Sequence, residues 1–92
     1  MKTYTEQEAD EILKDLNGWI YEENGIERAF EFKDFVEAFS FMTQIAILSE
    51  KANHHPELFN VYNEVNVRYT THDAGGITDK DFDLARKIDS LI

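Results

Sequence analysis

Three histidines are the side chains of this sequence best suited to change charge near neutral pH. His54 and His55 are adjacent, in the stretch Glu50-Lys51-Ala52-Asn53-His54-His55-Pro56-Glu57, and His72 opens the run His72-Asp73-Ala74-Gly75-Gly76. An imidazole can ligate a metal, move a proton or simply end a helix. Helical zinc ligands recur at i,i+4, as in H-E-x-x-H. Neighbouring side chains do not share a face on a helix or a strand, so His54 and His55 are poorly placed to grip one ion. With no cysteine in the chain there is no thiolate site and no disulfide framework. No metal and no cofactor are expected.

Proton transfer fits the position better. His54 falls where a long helix ends, and the dipole there favours an imidazolium. Glu50 lies four residues earlier and could accept a ring N–H of His54. Pro56 biases His55 toward extended backbone, so the two rings should diverge. His72 sits at the end of a strand, where exposed functional side chains are common. No nucleophile elbow and no phosphate-cradling loop is present. On spacing alone, helix capping and turn decoration compete with catalysis.

The elements that must carry these residues can be read in order. Thr5-Glu6-Gln7-Glu8 has the form of a capping box, and Ala9, Ile12, Leu13 and Leu16 follow at helical spacing. Asn17-Gly18 is a stop signal, so the first helix is expected over about residues 6–16. Asn24-Gly25 between two alternating runs predicts a hairpin. Placed at the turn, these two residues pair Glu23 with Ile26 and set Trp19 opposite Phe30. Trp19, Tyr21, Ile26, Phe30 and Phe32 then share one face, against Glu22, Glu27 and Glu31 on the other. Asp34 and Glu37 can cap a long helix from Phe35 to Asn53. Phe35, Phe39, Met42, Ala46 and Ser49 lie on one side of it, widened by Val36, Ala38, Phe41, Ile45, Ile47 and Leu48. So apolar a helix is expected to be buried between layers and at a subunit interface. Beyond Pro56, Val61, Val65, Val67 and Tyr69 alternate with polar residues, with a break near Asn63-Glu64. Thr78 and Asp81 can cap a last helix carrying Phe82, Leu84, Ala85, Ile88 and Leu91. The order α-β-β-α-β-β-α predicts an α+β fold, a four-stranded antiparallel sheet with three helices on one face, as one domain over residues 1–92.

Composition bounds the rest. The 92 residues are 42% hydrophobic and carry a net charge of −10, which supports a packed core but opposes contact with nucleic-acid phosphates. No apolar run approaches the roughly 20 residues that span a bilayer, and no signal peptide is read. A cytoplasmic protein is expected. So small a domain buries a modest share of its surface, which makes self-association reasonable.

Taken together, E-K-x-x-H-H-P-E from Glu50, N-V-Y-N from Asn60, T-H-D-x-G-G-I-T from Thr71 and D-x-x-L-A ending at Ala85 resemble the pterin-4a-carbinolamine dehydratase family. "NGW" at Trp19 and "FEFKDFVEAFSFMTQIA" from Phe30 are similar to its hairpin and long helix. The resemblance implies dehydration of 4a-hydroxytetrahydropterin to quinonoid dihydropterin, which recycles the cofactor of aromatic amino acid hydroxylation. It implies catalytic roles for His54, His55 and His72. It also implies a pterin pocket built from His54-His55-Pro56 and Thr71-His72-Asp73-Ala74, with Glu50, Asn53 and Trp19 at or near it. Metal-free homodimers or homotetramers are implied as well. Some members carry aspartate at the place of Asn53, tryptophan at that of Leu58 and cysteine at that of Ala74. Animal members also act as dimerisation cofactors of a homeodomain transcription factor. The alternative function is therefore a pterin-binding or protein-interaction module outside hydroxylase recycling.

Overall fold

The structure is a computed structural model describing residues Met1–Ile92. Helix α1 (Glu6–Leu13) starts at Thr5, whose hydroxyl accepts from the Glu8 amide while the Glu8 carboxylate accepts from the Thr5 amide. It ends earlier than its apolar spacing predicts: Asp15 and Leu16 close tighter turns onto Ile12 and Leu13. Strands β1 (Ile20–Glu22), β2 (Gly25–Glu31), β3 (Glu57–Val61) and β4 (Glu64–Tyr69) form one antiparallel sheet in the order β1-β2-β4-β3. Helix α2 (Phe35–Ala52) joins the two hairpins, and α3 (Asp79–Asp89) closes the chain. This is the expected α+β architecture.

The first hairpin is offset by two residues from its predicted register. Glu22 pairs with Gly25 and Ile20 with Glu27, so the two-residue turn is Glu23-Asn24, both at positive φ (43° and 63°). Trp19 therefore does not lie across from Phe30, although its ring meets Phe30 edge-on at 6.2 Å. A two-residue slip leaves every side chain on its predicted face; a one-residue slip would have inverted them. The cause lies in β4. Arg68 donates to the carbonyls of Glu22 (2.6 Å) and Glu23 (2.7 Å), and a Cβ on Gly25 would fall 2.4 Å from its Cζ. Gly25 is thus needed for close approach, not for the turn itself. Gly25→Ala is expected to cost about 1–3 kcal/mol by overpacking against this clamp. Urea denaturation should show that loss shrinking in an Arg68→Ala background; a neutral Gly25→Ala would contradict the clamp.

The core lies between the sheet and the helices. Ile26, Phe30, Val65, Val67 and Tyr69 supply the sheet side, and Ala9, Leu13, Phe41, Ile45, Phe82, Leu84 and Ile88 the helical side. On α2 the buried stripe is Ala38, Phe41, Ile45 and Ser49. The predicted stripe through Phe35, Phe39 and Ala46 lies outside it: Phe39 is 56% and Val36 72% exposed, and Phe35, Ala46 and Ile47 are exposed too. No helix is long and apolar enough to cross a membrane.

Candidate active site

Helix α2 stops at Asn53, which takes the left-handed conformation (φ 49°, ψ 44°) that asparagine tolerates. The His54 amide then donates back to the Ser49 carbonyl at 3.0 Å, so the chain turns under the helix end. His54 is carried inward to 8% exposure, its ring stacked on that of Tyr69 at 5.7 Å. His55 is left outside.

This turn decides which carboxylate each imidazole meets, and the outcome corrects the expectation for Glu50. His54 Nε2 lies 2.5 Å from Asp81 Oδ1, while His55 Nε2 lies 2.5 Å from Glu50 Oε1. Glu50 therefore orients His55, because the helical phase that would bring it to His54 ends at Asn53.

Asp81 is completely buried. Its Oδ2 accepts from the Thr71 hydroxyl (2.8 Å) and the Thr78 amide (2.9 Å). With Thr71 donating to Asp81, the 2.8 Å contact between the Thr71 and Thr78 hydroxyls has Thr78 as donor. The carboxylate sits in the first turn of α3, where the helix dipole favours negative charge. A carboxylate can only accept, so His54 Nε2 carries the hydrogen. No buried side-chain nitrogen or oxygen lacks a partner, and His54 Nδ1 bonds to no protein atom, so Nδ1 is open to solvent.

His72 begins a single 3₁₀ turn, His72–Ala74, closed by the amides of Ala74 and Gly75 on the Thr71 carbonyl. Gly75 takes φ 74°, which permits the turn. His72 and Asp73 are exposed and Ala74 is half-buried.

These segments meet in a cleft of about 250 Å³ lined by Asn53, His54, His55, Thr70, Thr71, His72, Asp73 and Lys80. All three histidines are brought together, with Asn53, Thr71 and Asp73. Pro56, Ala74 and Glu50 flank the cleft without lining it. Trp19 does not reach it: the indole is buried in the core and donates to Asp89 Oδ1 at 2.7 Å, where Arg28 also binds. Its expected place near the site is thus corrected; the offset hairpin delivers it to the far end of α3. Thr70, Lys80 and Asp81 were not anticipated in the site. Asp81 was legible only as a helix cap, and its second partner is 27 residues away.

Beneath the cleft, the Tyr69 hydroxyl and Ser49 share a buried 2.6 Å hydrogen bond. Burial chiefly, with the Asp81 charge, raises the Tyr69 phenol above its ordinary value of 10.0, against a lowering by Ser49. A raised folded-state value stabilises the fold fully below the unfolded value and loses that contribution as pH rises past it. Stability should therefore fall above pH 10.0, the unfolded tyrosine value. Tyr69→Phe should flatten that alkaline limb while costing about 1 kcal/mol at neutral pH through the stranded Ser49 hydroxyl. Thermal melts across pH test this; an unchanged limb would assign the loss to other groups.

Comparison with known proteins places the arrangement. The family described as Pterin 4 alpha carbinolamine dehydratase matches residues 2–91. The chain belongs to that family. A relative from Sinorhizobium fredii, provisionally named a pterin-4-alpha-carbinolamine dehydratase, is 57% identical over 81 residues, 86% of this chain and 77% of its own. One from Sulfurisphaera tokodaii, named in the same provisional way, is 48% identical over 92 residues, 100% of this chain and 99% of its own. The crystal structure of a transcriptional coactivator/pterin dehydratase from Brucella melitensis superposes with a TM-score of 0.91 at 44% identity, covering 98% of each chain. A pterin dehydratase-like RuBisCO assembly factor of the alpha-carboxysome shares the fold, with a TM-score of 0.65 at 20% identity over 79% of this chain and 84% of its own. This pterin-4a-carbinolamine dehydratase family member thus holds its three histidines around one cleft.

Proposed function

We propose that this protein dehydrates a 4a-hydroxytetrahydropterin to the quinonoid dihydropterin, returning the cofactor used in aromatic amino acid hydroxylation. The observation that carries the reading is His54, held by buried Asp81 with Nδ1 open, beside His72 in the same polar cleft. Family membership supports the reaction class.

The substrate carbon C4a bears a hydroxyl and the ring nitrogen N5. As N5 loses its proton, its electron pair forms the C4a=N5 bond and the C4a–O bond breaks. A proton delivered to the departing oxygen completes a water molecule. The step needs one acceptor and one donor of protons. With Nε2–H committed to Asp81, a neutral His54 presents a bare Nδ1, which takes the N5 proton. His72 delivers the other. His55, braced by Glu50, holds the polar edge of the pterin with Asn53, Thr71 and Asp73, while Pro56 and Ala74 shape the backbone around it. Positioned acid–base groups of this kind supply about 10²–10⁴-fold each.

A titration with 7,8-dihydropterin tests the binding half. Amide shifts are expected at Asn53–His55, Thr70–Asp73 and Lys80. Saturable shifts centred elsewhere, or none, would contradict the assignment.

Self-association belongs to the same proposal. Phe35, Val36, Phe39 and Ile47 leave an apolar row on the outer side of α2, and β1 and β3 are open sheet edges. The α2 row also supports a second reading, an interaction module acting on another protein, as the words "transcriptional coactivator" in the Brucella relative's description suggest for that protein. A single stoichiometric partner, captured equally well with His72→Ala and with excess pterin, would favour that reading.

A further inference from the structure

The segment before α1 packs on the elements that carry the site, and the mechanism leaves it unused. Tyr4 pairs with Ile77 in an isolated antiparallel bridge, its amide donating to the Ile77 carbonyl at 2.9 Å. Thr3 packs on Gly76, with its Cβ and Cγ2 3.7 Å from where a Gly76 Cβ would stand. The Tyr4 hydroxyl donates to the carboxylate of Asp79, the first residue of α3. Its ring meets buried Phe82 edge-on at 5.2 Å, and Lys2 Nζ lies 4.6 Å from the ring centroid.

These contacts fall on the two supports of the catalytic pair. Gly76 closes the loop that presents His72, since its carbonyl accepts from the Thr71 amide at 3.0 Å. Asp79 and Phe82 flank Lys80, which lines the cleft, and Asp81, which holds His54. Tyr4 itself does not line the cleft. From this geometry we infer that Tyr4 is a positioning residue for the dehydration: it ties the His72 loop to the first turn of α3 and so fixes His72 relative to His54. The inference rests on the dehydratase reading above. The hydrogen bond to Asp79 also raises the Tyr4 phenol above its ordinary value of 10.0.

Catalysis that needs two groups on one substrate is sensitive to their separation. Tyr4→Phe keeps the ring on Phe82 and removes only the tie to Asp79. It should lower kcat about fivefold with KM within about twofold, since geometry rather than binding is lost. Backbone amides of Thr71 and Gly75 should exchange about tenfold faster while those of β4 are unchanged, the mark of a local opening. Asp79→Ala, which removes the acceptor of the Tyr4 hydroxyl, should behave alike, and the double variant should lose little more than either single one. Tyr4→Phe with wild-type kcat overturns the inference, as does lost activity without faster exchange at Thr71 and Gly75. Uniformly faster exchange, β4 included, overturns it too, because Tyr4 then merely stabilises the fold. A wild-type protein that fails to accelerate dehydration overturns the dehydratase reading itself, a different result from an active wild type matched by an equally active Tyr4→Phe.

Discussion

Asp81→Asn is expected to lower the dehydration rate by about 10²-fold or more while the protein stays folded. The change is isosteric. An asparagine oxygen can still accept from the Thr71 hydroxyl and the Thr78 amide, which bind Asp81 Oδ2. The amide nitrogen then faces His54 Nε2 as a donor. His54 must answer with Nε2 as acceptor, which moves its ring hydrogen to Nδ1. The atom proposed to take the N5 proton is thereby blocked, and the carboxylate that would face the imidazolium is gone. Stability should fall by about 1–3 kcal/mol, the cost of weakening a buried charge-assisted network. Imidazole nitrogen NMR of His54 would report the tautomer directly. A wild-type rate with the hydrogen moved to Nδ1 would remove His54 from the role of base.

The second large effect separates the two proposed proton carriers by burial. His72 is exposed and its side chain makes no protein hydrogen bond, so His72→Ala should lower kcat by about 10²–10⁴-fold with stability changed by no more than about 0.5 kcal/mol. His54→Ala should cost a similar factor in rate. It also strips buried Asp81 of a hydrogen-bond donor, and losing a hydrogen bond to a buried charged group costs about 1.5–3 kcal/mol. His55→Ala, losing only an exposed contact with Glu50, should raise KM more than it lowers kcat. Steady-state kinetics and urea denaturation on the three variants check the pattern. Full activity in both His54→Ala and His72→Ala would exclude the proposed pair.

What could be read from the chain, and what could not, follows the range of each interaction. The boxes at Thr5–Glu8 and Thr78–Asp81 are closed by residues within a few positions, and both stand as read. The hairpin register failed because Arg68, more than forty residues on, occupies the space above Gly25 and grips the preceding carbonyls. The partner of His54 was misjudged for a similar reason. Helical spacing offered Glu50, but one left-handed residue broke the phase and exposed the ring to Asp81 across the fold. Trp19 was drawn to the site by resemblance, whereas its indole satisfies Asp89 in the core. Along α2, apolar residues exceed what one chain buries, so periodicity alone could not say which became the core stripe.

The most direct test of the central claim is a stopped-flow measurement of a freshly generated 4a-hydroxytetrahydropterin losing water, with and without the purified protein and with no metal added. The protein should accelerate quinonoid dihydropterin formation in proportion to its concentration, and His72→Ala should remove about 10²–10⁴-fold of that acceleration. A wild-type protein giving only the uncatalysed rate would contradict the assignment of this cleft to carbinolamine dehydration.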